Sequence, residues 1–164
     1  MSVDTLLSIK GLDVSYHLDG DVYAALRDIG LTVRPGEIVG VVGESGCGKS
    51  TLSAALLRLL PRNAEIGRGE AWLKGRDMLT LGEEELRRMR GRDIAMIFQD
   101  PMQSLNPTFR IGAQMAEAWR SHQGRGASSA DFRSRAIAAL TSVGIPDAAE
   151  RLASYPHEFS GGMR

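Results

Sequence analysis

The chain carries the stretch Gly43-Glu44-Ser45-Gly46-Cys47-Gly48-Lys49-Ser50-Thr51. This stretch, here called the phosphate loop, fits G-x-x-x-x-G-K-[ST], the phosphate-binding pattern of nucleoside-triphosphatases. Its glycines let the backbone curl so that several N–H groups face phosphate oxygens, and a helix that follows aims the positive end of its dipole at them. Lys49 supplies a cation for the outer phosphates and Ser50 a hydroxyl for the magnesium ion. The stretch therefore predicts a nucleoside triphosphate site.

A phosphate loop needs a strand before it and a helix after it, and the sequence predicts both. Residues 38–42 are almost wholly apolar and β-branched, as in a strand buried on both faces of a parallel sheet. Downstream, four leucines recur at helical spacing before Pro61: Leu52, Leu56, Leu59 and Leu60. The predicted fold class is therefore α/β, and a glycine-rich turn that matches by chance is disfavoured.

Composition narrows the class of protein. The 164 residues suffice for one ordinary domain, and 20 basic side chains balance 20 acidic ones, which gives no support for binding to nucleic acid. One cysteine cannot form an internal disulfide, which suits a reducing compartment. The pattern predicts no secretory signal and no membrane span. The three histidines, His17, His122 and His157, are too scattered for a metal site.

The chain outside the loop divides into three predicted parts. Residues 1–36 form an antiparallel β part, in which strands 6–16 and 22–33 flank a turn. Residues 37–109 form the phosphate-loop core, with a strand at 68–75, a helix at 83–90 and a second buried strand at 94–98. Residues 110–164 form a helical part. Its core faces hold Ile111, Met115 and Trp119 on one helix, then Phe132, Ala136, Leu140 and Val143 on the next, with a loop at 122–127 and a short third helix after Pro146.

Three further features are site candidates with alternatives. Tyr16 is either a half-buried strand residue, which the pattern favours, or a platform that stacks on adenine. Gln99 follows a predicted buried strand, where open α/β sheets place ligand contacts. The run Ser160-Gly161-Gly162 is either a helix start with free backbone N–H groups or a flexible chain end.

These motifs together resemble the nucleotide-binding subunits of ABC transporters. The phosphate loop, the run IFQDP at 97–101 and the run FSGGM at 159–163 follow one another in the family's order around a helical block. The wider wording, IFQDPMQSLNP at 97–107 and YPHEFSGGMR at 155–164, resembles the dipeptide, oligopeptide and nickel importer branch. The likeness covers essentially the whole chain. It implies an ABC-type P-loop NTPase fold, with an incomplete RecA-like core, an antiparallel β part and a helical subdomain.

The resemblance also implies roles. Tyr16 would stack on adenine, which reverses the preference given by the pattern alone. Gln99 would bind magnesium or the attacking water and sense the membrane subunits. Ser160, Gly161 and Gly162 would contact ATP held by a second subunit in a head-to-tail dimer. Lys49 would act on the β- and γ-phosphates and Ser50 on Mg²⁺, within a set of phosphate contacts made of Gly43, Ser45, Gly46, Cys47, Gly48, Lys49, Ser50 and Thr51.

The implied whole is the ATP-binding subunit of an importer of peptides or nickel. It would lie peripherally on the cytoplasmic face of the cell membrane, bind ATP and Mg²⁺, and pair with permease subunits and a second ATP-binding subunit (the same or a different chain). An extracytoplasmic substrate-binding protein would be an indirect partner, and nucleic acid would not be one. The rivals are a non-catalytic nucleotide-binding module and a soluble ABC ATPase of repair or translation.

The sequence departs from the family pattern in two ways. Phe159 and Met163 replace the usual leucine and glutamine around Ser-Gly-Gly, and methionine is common in this branch. The family pattern also continues past Arg164 into a strand with a magnesium-binding aspartate, an adjacent glutamate and a later histidine. Neither Asp93 nor Asp100 follows a hydrophobic run as that aspartate would. The expectation is a truncated chain that does not hydrolyse ATP on its own.

Overall fold

The computed structural model describes residues 5–99, 104–123 and 129–163. These residues form two compact units, divided between Met96 and Ile97. The first unit holds four strands and two helices: β1 (Leu7–Leu18), β2 (Asp21–Val33), α1 (Lys49–Leu56), β3 (Ala64–Leu73), β4 (Arg76–Asp77) and α2 (Glu83–Met89). The second holds α3 (Ile111–Gln123), α4 (Ser129–Ser142) and α5 (Ala148–Arg151), followed by 3₁₀ turns at Pro156–Glu158 and Gly161–Met163.

An antiparallel sheet with the order β2-β1-β3-β4 dominates the first unit. The predicted pair of strands is confirmed as β1 and β2, with Tyr16 opposite Tyr23 in the register. They are joined by Asp19 and Gly20, whose φ angles of 52° and 91° suit the two-residue turn that follows the natural twist of a hairpin. The strand predicted at 68–75 begins earlier and pairs with β1, so the sheet recruits residues well beyond position 36.

The core of the first unit lies between this sheet and the two helices. It comprises Ile9, Leu12, Val14, Leu26, Leu52, Ala55, Leu56, Ala71, Leu73, Met78, Leu86 and Met89. Alternate residues of β1 and β3 face it, and α1 and α2 contribute their apolar sides. The core therefore holds α1 against the sheet, and α1 in turn carries the phosphate loop at its amino end.

The two predicted buried strands are not formed. Residues 38–42 and 95–98 have no strand assignment, and Ile38 and Val42 are 98% and 93% exposed. A parallel strand exists only when neighbours complete its hydrogen-bonded ladder. Within the described residues, the one parallel pairing outside the named strands is an isolated bridge between Arg90 and Ile94. β-branched composition alone could not supply the missing neighbours.

The helical predictions need three corrections. Helix α1 ends at Leu56 rather than near Pro61, and Leu59 is half-exposed. Helix α4 ends at Ser142, so Val143 lies beyond the helix and is exposed, although its spacing predicted an inward position. Helix α3 extends to Gln123, past the start of the loop predicted at 122–127. The rest of that loop, residues 124–127, lies outside the described part.

The remaining inward positions predicted for α3 and α4 are confirmed, since Ile111 and Ala136 are buried and the other four are half-buried: Met115, Trp119, Phe132 and Leu140. Ile111, Ile145 and Phe159 are buried together, with Leu105, Met115, Leu140 and Met163 packed around them. The rings of Trp119 and Phe132 join α3 to α4 at a centroid distance of 6.4 Å. Within the residues that the structure describes, no helix is both long and apolar enough to cross a membrane. The division into parts 1–36, 37–109 and 110–164 stays a prediction.

Candidate functional site

The phosphate loop packs directly on strand β2 at Gly48. This residue has a φ of +98°, and a Cβ atom there would lie 2.7 Å from the carbonyl oxygen of Ala25 and 2.8 Å from the Leu26 side chain. Only glycine combines this backbone conformation with so close an approach. The sheet therefore fixes the point at which the loop becomes helix α1.

Helix α1 begins at Lys49 with its amino end open. The N-cap Gly48 provides no side-chain hydrogen bond, and the first turn contains no acidic residue. The first N–H groups of a helix have no acceptor within the helix, so those of the first turn are available to a ligand. Together with the helix dipole they make this end of α1 a candidate site for an anion.

The Lys49 side chain bends back over the loop. Its Nζ atom donates to the carbonyl oxygens of Gly43 at 2.8 Å and Glu44 at 2.7 Å. It also lies 3.3 Å from Sγ of Cys47, an exposed free thiol. The ammonium group is thus held at the mouth of the loop by acceptors that phosphate oxygens could replace.

Tyr16 belongs to the same region. Its hydroxyl and that of Thr51 form a hydrogen bond of 3.3 Å, which links the end of β1 to the first turn of α1. Tyr16 is half-buried and Ser50 is exposed. The structure therefore brings Tyr16, the phosphate loop and the start of α1 together. The contact between Tyr16 and Thr51 joins residues 35 positions apart, and no sequence signal indicated it.

A cavity of about 200 Å³ adjoins the loop. Side chains from β2, from α1 and from the segment before the loop line most of it: Leu26, Ile29, Leu31, Val41, Val42 and Leu52. Apolar walls do not suit phosphate groups. The candidate anion site is therefore the backbone of the loop and of α1, rather than this cavity.

The other predicted site residues belong to the second unit. Gln99 is exposed at a bend, and its neighbours Asp100 to Gln103 lie outside the described residues. Ser160, Gly161 and Gly162 are exposed and lead into a single 3₁₀ turn, with Met163 N–H bonded to Ser160 O at 3.0 Å. Buried Phe159 precedes the turn and Met163 is its last residue, and both pack on the helical core. The two departures from the family wording are thus packing residues.

Asp93, the acidic residue that follows α2 in the first unit, is engaged by basic side chains. Lys74 Nζ donates to it at 3.0 Å, and Arg92 donates through two nitrogens at 3.1 and 2.8 Å. The Lys74 hydrogen bond, followed by that of Arg92, lowers the pKa of the Asp93 carboxyl. Across the described residues, no group of three or more acidic, histidine or cysteine side chains could hold a metal ion.

Comparison with known proteins identifies the family of the chain. The family model described as ABC transporter matches residues 26–164, and the chain belongs to that family. Among curated relatives, it is 45% identical over 164 residues to the dipeptide transport ATP-binding protein DppD of Lactococcus lactis and 46% identical over 162 residues to the oligopeptide transport ATP-binding protein OppD of Escherichia coli. The DppD protein of Bacillus subtilis is 43% identical over 163 residues.

The alignments cover 98% to 100% of this chain but only 47% or 48% of those three proteins, so the chain spans about half the length of the curated relatives it matches. Among solved structures, a dimeric bacterial ABC transporter cassette superposes with a TM-score of 0.82, over 96% of this chain and 64% of that one, at 23% identity. The post-hydrolysis state of that cassette, bound to ADP and Pi, gives 0.77. These matches confirm the predicted fold, an ABC-type P-loop NTPase.

Proposed function

We propose that this chain binds the triphosphate of ATP at the phosphate loop, as part of the ATP-binding subunit of a peptide importer. The observation that carries the proposal is the open amino end of α1 with the Lys49 ammonium beside it. Backbone N–H groups, a helix dipole and a point cation there suit a polyphosphate. The named functions of the relatives, dipeptide and oligopeptide transport, support peptides as the cargo, and nickel is the alternative cargo.

Mg²⁺ fits the same site through the exposed hydroxyl of Ser50, since hard cations prefer oxygen ligands. Bound there with the nucleotide, Mg²⁺ would supply charge neutralisation. Gln99 is the further residue proposed to contact the metal or the attacking water. Ser160, Gly161 and Gly162 are proposed to contact ATP on a second ATP-binding subunit, and the dimeric state of the related cassette supports such pairing. We further propose that the subunit binds permease subunits and lies peripherally on the cytoplasmic face of the membrane.

The second candidate function is nucleotide binding without hydrolysis by this 164-residue chain. It is favoured by Asp93, whose carboxylate is occupied by Lys74 and Arg92. Hydrolysis needs oxygen ligands that place the metal and the attacking water. In this candidate, the chain holds ATP in the loop but releases no phosphate.

Equilibrium binding of a fluorescent ATP analogue tests the proposal. Lys49→Met should weaken binding by on the order of tenfold or more, because a charge-assisted contact to phosphate is lost. The matched control is Lys10→Met, which removes an exposed lysine of β1 and should leave the affinity unchanged. Equal affinities for the two variants would refute phosphate binding at the loop. Phosphate release above that of Lys49→Met would refute the candidate without hydrolysis.

A further inference from the structure

Helix α1 has only eight residues, and its amino end is uncapped. Isolated helices of this length are marginal in water, and a side-chain cap at the amino end would occupy the N–H groups that a phosphate needs. The helix must therefore be stabilised by its buried side, which includes Leu52 and Leu56, and by its carboxyl end.

Backbone hydrogen bonds cap part of the carboxyl end of α1. The N–H of Arg58 bonds to Ala55 O at 3.0 Å and that of Leu59 to Ala54 O at 2.8 Å, which is the Schellman pattern. Arg58 takes the left-handed position of this motif, with a φ of 50°, where glycine is usual. These two bonds engage the carbonyl groups of Ala55 and Ala54, and not those of Leu57 and Arg58, which lie just past the helix.

Arg90, which follows α2, fills this gap. Its Nε atom donates to Leu57 O at 2.9 Å, and one terminal nitrogen donates to Arg58 O at 3.3 Å. The other terminal nitrogen donates to the Glu83 carboxylate at 2.7 Å. The Arg90 side chain is only 24% exposed. Since α1 has no basic residue in its own last turn, Arg90 brings a positive charge from outside the helix to the negative end of its dipole.

We propose that Arg90 is a positioning residue for nucleotide binding. By holding the carboxyl end of α1, it keeps the amino end of the helix and the phosphate loop in register with β2, against which Gly48 packs. A planar guanidinium can bridge two carbonyls and a carboxylate at once, whereas the ammonium group of a lysine lacks that fork. The inference rests on the proposed function and adds a residue that has no place in the phosphate-binding motif.

The test compares ligand affinities in the wild-type chain and in the variants Arg90→Met, Arg90→Lys and Arg87→Met. Arg87 lies on α2 and pairs with Glu84 at the surface, so Arg87→Met is the matched control. We expect Arg90→Met to weaken ATP binding by on the order of tenfold, Arg90→Lys by less, and Arg87→Met not at all. Inorganic tripolyphosphate should show the same loss, whereas adenosine, which has no phosphate, should not.

Thermal unfolding of each variant separates positioning from stability. All affinities are measured well below the unfolding midpoint, so that a merely structural role would lower the midpoint and leave the affinity of folded molecules unchanged. That result, or equal ATP affinities for Arg90→Met and Arg87→Met, would overturn the inference. If Arg90→Met does not fold, Arg90→Lys carries the same comparison. Absence of ATP binding by the wild-type chain would overturn the proposed function and this inference with it.

Discussion

The hydroxyl of Tyr16 lies 3.3 Å from that of Thr51, so the end of β1 is tied to the first turn of α1. The bond gives Tyr16 a structural role beside the phosphate loop that does not depend on a nucleotide. The same residue carries the aromatic ring that is predicted to stack on adenine. The two roles differ in the atom they need, because one needs the hydroxyl and the other the ring.

Substitutions at Tyr16 separate these roles. We expect Tyr16→Phe to keep the affinity for ATP, because the ring remains, and Tyr16→Ala to lose roughly 1–3 kcal/mol of binding free energy, the range of base–aromatic stacking. The measurement is titration with a fluorescent ATP analogue. Tyr23→Ala is the control, since Tyr23 pairs with Tyr16 in the register but is 55% exposed. An ATP affinity of Tyr16→Ala equal to that of Tyr23→Ala would rule out stacking.

Cys47 reports on occupation of the phosphate loop. Its thiol is exposed and lies 3.3 Å from Lys49 Nζ. A bound triphosphate should recruit Lys49 and cover the thiol, so MgATP is expected to slow alkylation of Cys47. The rate is followed by mass spectrometry with MgATP, with adenosine and without ligand. Adenosine, which lacks phosphates, should leave the rate unchanged, and equal rates in all three samples would contradict a phosphate-filled loop.

The carboxyl of Asp13 should make stability depend on pH. Its pKa is lowered from 3.8, first by the hydrogen bond from the Asp28 N–H and then by that from Arg68. A lowered pKa means that the carboxylate stabilises the folded chain above pH 3.8 and that this stabilisation is lost as the pH falls below that value. Asp13→Asn should therefore be less stable than wild type at neutral pH, and the difference should shrink in acid. Urea unfolding midpoints of wild type and Asp13→Asn, at neutral pH and in acid, measure this difference in stability, and Asp21→Asn is the control. A difference in stability that does not change with pH would contradict the stabilising role of the Asp13 carboxylate.

Features that depend on residues close together in the sequence could be predicted, whereas features that depend on distant residues could not. The hairpin at Asp19 and Gly20 was predictable because the turn residues specify it locally. Residues 38–42 were wrongly predicted as a buried strand because a ladder needs partners that no local pattern supplies.

In the candidate site, too, local features were predictable and long-range contacts were not. The phosphate loop and its helix were predictable from spacing alone. The hydrogen bond of Tyr16 to Thr51 and the contact of Arg90 with the end of α1 join residues more than 30 positions apart. Such contacts follow from tertiary packing, which a single sequence does not encode in a readable pattern. The placement of Gln99 and Ser160 around a nucleotide stays a prediction.

The exposed segment at residues 38–42 should limit solubility. It is uncharged and rich in β-branched residues, and it is exposed without strand partners, which favours association between copies. Ile38→Lys should raise the soluble concentration at little cost in stability, because the side chain is already 98% exposed. The same substitution at buried Ile9 should prevent folding and is the control. Light scattering against concentration measures the effect, and unchanged association by Ile38→Lys would contradict it.

Phe159 is expected to stabilise the second unit rather than to contact a ligand. It is 5% exposed, packs with Ile111 and Ile145, and has the Arg151 guanidinium over its ring at 5.7 Å. Phe159→Ala should cost about 3–5 kcal/mol of unfolding free energy, and Phe159→Leu, which restores the usual residue of the family, should cost less. Urea unfolding gives the values when it is followed by tryptophan fluorescence in a Trp72→Phe background, in which Trp119 is the one tryptophan left. Val143→Ala is the matched apolar truncation and should change little, since Val143 is exposed beyond the end of α4. If Phe159→Ala loses no more unfolding free energy than Val143→Ala, the buried ring does not stabilise the second unit.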